Sequence, residues 1–214
     1  MQIIAHRGAA AYKPENSLES FREAIRLGGN FFETDVHLTH DGALVLWHDY
    51  EFEGRAIKTG LLRDFPLATL KELSDILPPA ANLNIEIKND GNIYEGIERA
   101  VLNLLQTYPP QLKERILISS FDYPTLQRVR DLDADIKIGV LTRNFDVSTA
   151  LALRAYSVNI SVKRVNAEIV ESCRKNNLKV FVYTVNTAAE AAAMSALGAD
   201  AIFSDYPDLL SLKH

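Results

Sequence analysis

Three acidic residues lie in two short segments that alternate charged and apolar side chains. Glu33 and Asp35 are two residues apart in FFETDV, and Glu86 and Lys88 have the same spacing in LNIEIK. Because successive side chains of a β-strand point to opposite faces, each pair would share one face of its strand. Three carboxylates gathered at one place would repel one another unless a cation lay among them. The pattern therefore predicts a site for one divalent cation, with oxygen ligands that favour Mg²⁺ or Ca²⁺ and also suit Mn²⁺.

Two histidines are placed where they could act together with such a site. His6 follows the apolar segment IIA, and His48 follows ALVLW. Two imidazoles that flank a metal can serve as general acid and general base, and their nitrogens keep zinc open as an alternative metal. Arg7 and Lys88 would add fixed positive charge suited to a phosphate group. The set predicts chemistry on a phosphate, with the roles of the two histidines left open.

Short apolar segments rich in β-branched residues alternate with helical patterns along the chain. The predicted strands cover residues 3–5, 31–36, 43–49, 83–88, 116–121, 136–141, 157–162, 179–185 and 201–204. Asp41 and Gly42 leave no room for a helix between the second and third segments, so the third must return antiparallel as a hairpin. Eight parallel strands remain. The pattern predicts an α/β fold, a (β/α)₈ TIM barrel with a small β-hairpin after strand 2.

A doubly wound open sheet is the alternative fold. It would need a phosphate-binding turn such as GxGxxG after the first strand, and HRGAAAY is not one. A barrel of 214 residues would be a compact example of its class. Barrel enzymes hold their active sites at the carboxyl ends of the strands, so the first strand would deliver His6 and Arg7 to the same mouth as the carboxylates.

The composition is typical of a soluble globular protein. The chain has 214 residues and a net charge of −5, and its lysines and arginines are scattered. No basic patch for nucleic acid is evident, and no apolar stretch approaches the roughly 18 residues of a membrane span. We therefore expect a single domain over residues 1–214 in the cytoplasm, with a small-molecule substrate and neither a nucleic-acid nor a membrane partner. The oligomeric state is left open.

The chain also carries an ordered set of motifs. HRG, PEN, ETDV, THDG and HD occur in the first 49 residues, and NIEIK, ISSFD, YTVN and GADAIFSDYPDLL follow in that order. Taken together, they closely resemble the glycerophosphodiester phosphodiesterases over essentially the whole chain. There are two departures: Tyr183 stands before TVN where the family commonly has tryptophan, and residues 50–70 follow the family pattern only loosely.

The resemblance implies a (β/α)₈ barrel that hydrolyses glycerophosphodiesters to glycerol 3-phosphate and an alcohol with one divalent metal. The implied roles are Glu33, Asp35 and Glu86 as metal ligands, His6 and His48 as the acid/base pair with His6 as the acid, and Arg7 and Lys88 near the phosphate. The nucleophile is either water or the glycerol hydroxyl of the substrate. Residues 50–70 would cover the alcohol end of the substrate, so the headgroup preference is not predicted.

Two other functions are compatible with a barrel of this kind. A phospholipase C-like or sphingomyelinase D-like phosphodiesterase would need an exposed apolar or basic loop to dock on a membrane, and no such loop is evident in the sequence. A catalytically silent barrel, retained as a binding or regulatory module, is expected to lack one of the five residues proposed as ligands or acid/base groups. All five are present.

Overall fold

A computed structural model describes residues 1–108 and 110–211. The strands are β1 (Gln2–Ala5), β2 (Phe31–Leu38), β3 (Leu44–Leu46), β4 (Glu51–Phe52), β5 (Arg55–Ala56), β6 (Asn82–Ile87), β7 (Ile116–Ser120), β8 (Lys137–Thr142), β9 (Ser157–Ser161), β10 (Lys179–Tyr183) and β11 (Ala201–Ser204). The helices are α1 (Leu18–Arg26), α2 (Leu70–Ile76), α3 (Ile97–Gln106), α4 (Pro110–Lys113), α5 (Tyr123–Leu132), α6 (Val147–Ala152), α7 (Ala167–Lys175) and α8 (Ala188–Leu197).

Eight of these strands form a closed parallel barrel. Their order around the barrel is β1, β2, β6, β7, β8, β9, β10 and β11, and β11 pairs with β1 to complete the ring. Contact between Ala5 and Phe32 joins β1 to β2. Helices connect most successive strands, as parallel pairing requires. The predicted TIM barrel is confirmed, and the open-sheet alternative is excluded.

The predicted hairpin is also present. β3 runs antiparallel to β2, with Val36 opposite Leu46, and the turn between them contains Gly42 in the left-handed region. β3 is shorter than the sequence predicts because its pairing with β2 ends at Leu46. His48 therefore lies in the loop after β3 and not at the end of a strand. A second small hairpin, β4 with β5, follows this loop.

The alternation of side chains along the strands separates two apolar layers. On β2, Phe32 and Val36 face outward and pack in the main core between the strands and the helices, as do Ile85 and Ile87 of β6. The other face of β2 begins with Phe31, which packs inside the barrel in a smaller cluster. Glu33 and Asp35 continue that inner face towards the carboxyl end of β2. The polar residues thus lie above a packed barrel interior.

Among the described residues, no helix combines the length and the apolar character that crossing a membrane requires.

Candidate active site

The three predicted carboxylates converge at the carboxyl ends of β2 and β6. Asp35 is directly opposite Glu86 in the parallel register, and Glu33 is opposite Asn84. All three side chains are buried, and one oxygen from each of Glu33, Asp35 and Glu86 lies within 4.8 Å of the others. The period of two along each strand therefore brings the carboxylates together as the sequence predicts.

Burial and mutual repulsion disfavour full ionisation of this cluster. Burial raises the pKa of Glu33 to about 8, and the negative charge of Asp35 adds to the rise. Burial also raises the pKa of Glu86, against the opposing charge of Lys88. For Asp35 the raising effect of burial is outweighed by the charges of Lys88 and Arg7, so its pKa lies below the ordinary value. Additional positive charge at this position would favour the ionised cluster.

The donor set fits a hard divalent cation. Three carboxylates offer only oxygen, the ligand that Mg²⁺, Ca²⁺ and Mn²⁺ prefer, and their closest oxygens already lie within the span of a single coordination sphere. No histidine belongs to this group of residues. The geometry therefore favours a hard cation over zinc, which is bound chiefly through nitrogen and sulfur.

Two positively charged side chains form ion pairs with the carboxylates. Lys88 Nζ lies 2.6 Å from a Glu86 oxygen and 3.0 Å from Asp35 Oδ1. Arg7 Nε lies 3.0 Å from Asp35 Oδ2. Both side chains are mostly buried, so these ion pairs are screened less by solvent than surface pairs are. Arg7 and Lys88 thus lie beside the carboxylates, as their expected role near the phosphate requires.

The HRG motif forms a tight turn after β1 that holds this arrangement. Arg7 adopts a left-handed conformation, and its backbone N–H donates to Glu33 Oε2 at 3.0 Å. The carbonyl of Arg7 accepts from Ser20 Oγ at 3.0 Å. Gly8 follows with a φ of +86° and lies against the start of α1. The turn therefore couples the first strand to both the carboxylate cluster and the first helix.

Gly8→Ala should destabilise the fold more than Gly42→Ala. Both glycines have positive φ, at which a Cβ costs roughly 1–2 kcal/mol. A Cβ on Gly8 would lie 2.5 Å from Ser20 Oγ and 2.8 Å from backbone, whereas a Cβ on Gly42 meets nothing within 4 Å. Overpacking adds about 1–3 kcal/mol at Gly8 alone. Urea denaturation measures both losses, and equal losses would refute the close packing of this turn.

Two residues of the PEN motif, Glu15 and Asn16, make contacts for which no role was predicted from the sequence. Both carboxylate oxygens of Glu15 accept from Arg7 NH1, at 3.0 and 2.9 Å. Asn16 is buried, and its Nδ2 donates to Asp35 Oδ2 at 3.0 Å while its Oδ1 accepts from Thr34 Oγ1. These residues orient Arg7 and Asp35. The motif is evident in the sequence, but its contacts are not, because the partners lie up to 19 residues away along the chain.

His6 is held by a carboxylate from the other end of the chain. His6 Nδ1 lies 2.7 Å from Asp205 Oδ1, and Asp205 Oδ2 accepts from Asn186 Nδ2 at 2.6 Å. Burial lowers the pKa of His6, but the Asp205 hydrogen bond and the charge of Glu33 outweigh it, and the net shift is upward. Asp205 and Asn186 lie in the SDYPDLL and YTVN motifs, for which no role was predicted.

His48 has a similar contact with a carboxylate. Its Nδ1 lies 2.7 Å from Asp49 Oδ1, and the side chain is partly exposed. In both histidines Nδ1 is occupied by a carboxylate, so Nε2 is the nitrogen left to face the cavity. His6 and His48 line the same cavity. Both imidazoles thus border one cavity, as a general acid and a general base of one reaction would.

The cavity at the barrel mouth has a volume of about 430 Å³. Its lining comprises His6, Arg7, Glu33, His48, Glu86, Lys88, Phe121, Leu141, Arg143, Ser161, Arg164, Tyr183, Thr184 and Phe203. No residue of 50–70 lines this cavity, but Tyr50 lines a smaller adjoining cavity that also contains His48, Glu86 and Arg143, so coverage of the alcohol end by this segment stays a prediction. Other side chains of the segment pack on one another around Ile57 and Phe65. The wall that faces the carboxylates comes from the later strands.

Comparison with known proteins shows a full-length relationship. The glycerophosphoryl diester phosphodiesterase family model matches residues 6–92 and 78–209. A glycerophosphodiester phosphodiesterase of Caldanaerobacter subterraneus subsp. tengcongensis is 32% identical, over 97% of this chain and 95% of the relative. One from Bacillus altitudinis is 29% identical, over 97% of this chain and 95% of the relative.

Solved structures give the same result. An Oleispira antarctica phosphodiesterase in complex with the product sn-glycerol-3-phosphate has a TM-score of 0.90 and 26% identity, covering 99% of this chain and 96% of the other. A glycerophosphodiester phosphodiesterase from Thermotoga maritima has a TM-score of 0.82 and 26% identity, covering 98% and 96%.

Proposed function

The chain belongs to the glycerophosphoryl diester phosphodiesterase family, and on that premise we propose that it hydrolyses glycerophosphodiesters to glycerol 3-phosphate and an alcohol with one divalent cation, using residues 1–214 as a single catalytic domain. The observation that carries the proposal is a single cavity lined by Glu33, Glu86, His6 and His48, with Asp35 buried beside it. The solved relative with bound sn-glycerol-3-phosphate supports the same class of small-molecule substrate.

We assign the cation to Glu33, Asp35 and Glu86. Their oxygens lie close enough together to share one ion, and their burial makes added positive charge favourable. A divalent cation bound there would supply Lewis-acid polarisation of the phosphoryl oxygens. Mg²⁺ and Ca²⁺ suit the oxygen ligands best, and Mn²⁺ is compatible.

Arg7 and Lys88 contribute fixed positive charge beside the same carboxylates. A phosphodiester gains negative charge in the transition state, and preorganised positive groups stabilise it without further reorganisation. Arg7 is held by Glu15 and Asp35, and Lys88 by Glu86 and Asp35. These contacts support a role in which both side chains are already oriented before substrate binds.

His6 and His48 move the protons. One imidazole accepts a proton from the attacking hydroxyl, which belongs to water or to the glycerol of the substrate, and the other donates a proton to the departing alkoxide. The contact of His6 with Asp205 favours the protonated ring, which supports His6 as the acid. His48, whose Nδ1 is held by the more exposed Asp49, then acts as the base.

An assay that couples glycerol 3-phosphate to a dehydrogenase tests the proposed activity. Purified protein with Mg²⁺, Ca²⁺ or Mn²⁺ should release glycerol 3-phosphate from several glycerophosphodiesters, and a chelator should stop the release. Full activity in excess chelator would contradict the assignment of the cation. No release with any metal would contradict the activity itself.

A divalent cation should also stabilise the folded protein. At about 100 times the Kd, binding to the folded state alone contributes about 2.7 kcal/mol, which raises Tm by roughly 5–10 °C for a protein of this size. Glu86→Gln should remove this increase because it replaces a charged ligand with a neutral one. Glu114→Gln is the matched control, because Glu114 is exposed just before β7, at the opposite end of the barrel. An equal increase in both variants would contradict the assigned ligands.

A further inference from the structure

Two arginines lie on the wall of the cavity that faces the carboxylates. Arg143 follows β8 directly, and Arg164 lies three residues beyond β9. These are the fifth and sixth strands of the barrel, and in an eight-strand ring they stand opposite the first and second strands, β1 and β2. Both arginines line the same cavity as His6 and Glu33. The mouth therefore has the carboxylates, paired with Arg7 and Lys88, on one side and two further guanidinium groups on the other.

Ion pairs distinguish these two arginines from Arg7. In the described part of the chain, neither Arg143 nor Arg164 forms an ion pair with a carboxylate, whereas Arg7 pairs with Glu15 and Asp35. Both are exposed at the barrel mouth. The carboxylate cluster instead forms its ion pairs with Arg7 and Lys88. Both guanidinium groups therefore remain available to a ligand.

Neighbouring side chains orient both guanidinium groups. The Arg143 guanidinium carbon lies 4.3 Å from the centre of the Phe121 ring, a cation–π contact. Arg164 NH1 donates to Asn144 Oδ1 at 3.3 Å, which joins the loop after β9 to the loop after β8. Tyr183 lines the same cavity, and burial raises its pKa to about 12 against the opposing charges of Arg143 and Arg164. The two groups thus form one basic edge of the cavity.

This edge disfavours a positively charged alcohol. A quaternary ammonium group is commonly recognised on aromatic faces, and Arg143 already occupies one face of the Phe121 ring. Two guanidinium charges would also repel an ammonium group, whereas an uncharged alcohol would gain little from them. An anionic group could accept hydrogen bonds from both guanidinium groups, because arginine binds phosphate and carboxylate through paired N–H groups.

We propose that Arg143 and Arg164 select glycerophosphodiesters whose alcohol carries an anionic group, a phosphate or a carboxylate. The inference rests on the proposed hydrolytic function and assigns its substrate class. The scissile phosphodiester lies at the carboxylate side of the mouth, and the second anion of the same substrate lies against the basic edge. Specificity for the alcohol is then set by the loops after the fifth and sixth strands of the barrel.

Four glycerophosphodiesters test this proposal. In three of them the alcohol has a three-carbon skeleton: uncharged glycerol, glycerate with its carboxylate, and glycerol phosphate with its phosphate. The fourth is the choline ester, whose alcohol is cationic. The disappearance of each substrate, monitored by ³¹P NMR at saturating Mg²⁺, gives its kcat/KM. Wild type should prefer both anionic alcohols over glycerol by about tenfold or more, the scale of a hydrogen bond to a charged group. The glycerate and glycerol phosphate arms show whether carboxylate or phosphate is preferred.

Arg143→Gln and Arg164→Gln should each lower the ratio of anionic to uncharged kcat/KM by about tenfold, and Tm should confirm that they fold. Arg22→Gln is the matched control, since Arg22 is exposed on α1 outside the cavity, and it should keep the wild-type ratio. Because the arginines are exposed, the wild-type preference should also fall as ionic strength rises.

Three results would overturn the proposal while leaving the hydrolytic function intact. They are a wild-type ratio near one, a preference for the choline ester, and an equal loss on all substrates in the arginine variants. The last would mean that the arginines bind the shared phosphodiester. Failure of wild type to hydrolyse any of the four substrates at saturating metal would instead overturn the hydrolytic function, and the inference with it.

Discussion

Replacing Glu33 with glutamine should lower kcat/KM for a glycerophosphodiester by about 10³-fold or more. The substitution keeps the size of the side chain, and its carbonyl oxygen can still accept from the Arg7 backbone N–H. It removes a charged ligand from the cluster, and the Lewis-acid stabilisation that depends on that cluster is worth several kcal/mol, with tenfold in rate for each 1.36 kcal/mol. The coupled assay for glycerol 3-phosphate measures the loss.

Stability measurements distinguish loss of the site from loss of the fold. Without a divalent cation, Glu33→Gln should melt at or above the wild-type temperature, because it removes a carboxyl group whose ionised form is disfavoured by burial and by the charge of Asp35. Glu114→Gln again provides the matched control. Activity of Glu33→Gln within tenfold of wild type, in a folded protein, would remove Glu33 from the set of metal ligands.

The two histidine variants should respond differently to the leaving group. Loss of a general acid costs roughly 10²–10⁴-fold on a natural alcohol and much less on an activated phenol, which leaves without a proton. Loss of a general base has no such dependence. We expect the nitrophenyl ester of glycerol phosphate to rescue only one of His6→Ala and His48→Ala, and we expect that variant to be His6→Ala.

The measurement is the ratio of kcat/KM on the nitrophenyl and natural substrates, for wild type and for each variant. Rescue of His48→Ala alone would exchange the two roles. Equal losses on both substrates in both variants would show that neither ring donates the proton. His40→Ala is the matched control, since His40 lies beside the turn between β2 and β3 and does not line the cavity.

The sequence was most informative where local geometry determines the outcome. A period of two along a strand puts Glu33 and Asp35 on one face whatever the rest of the fold does. The short connection at Asp41 and Gly42 excludes a helix, and the remaining strands then fit a parallel barrel. β2 and β6 are successive parallel strands that pair side by side, so the carboxylates meet without any further specification.

The partners of the proposed catalytic groups depend on contacts between distant parts of the chain. Asp205 lies 199 residues from His6, and only closure of the barrel by β11 beside β1 brings the two together. No local pattern predicts that pairing. The same holds for Arg143 and Arg164, which follow strands with no acidic or histidine residue to draw attention to them. Their position opposite the carboxylates follows only from the order of the strands around the closed barrel.

The expectation for residues 50–70 rests on proximity along the chain. The segment follows His48 in sequence, which suggests proximity to the substrate. In the structure its apolar residues, Ile57 and Phe65 among them, pack with Val45 of the hairpin and are buried. Tyr50, at the start of the segment, lines the smaller cavity beside His48 and Glu86.

The most direct test of the account is the identity of the products formed from glycerophosphoinositol in H₂¹⁸O. The proposed hydrolysis predicts free inositol and glycerol 3-phosphate with one ¹⁸O in its phosphate, detected by ³¹P NMR and mass spectrometry. The label is the same for attack by water and for attack by the glycerol hydroxyl followed by hydrolysis of a cyclic phosphate. Inositol phosphate with free glycerol, as a phospholipase C-like cleavage would give, or a cyclic phosphate as the final product, would contradict the account.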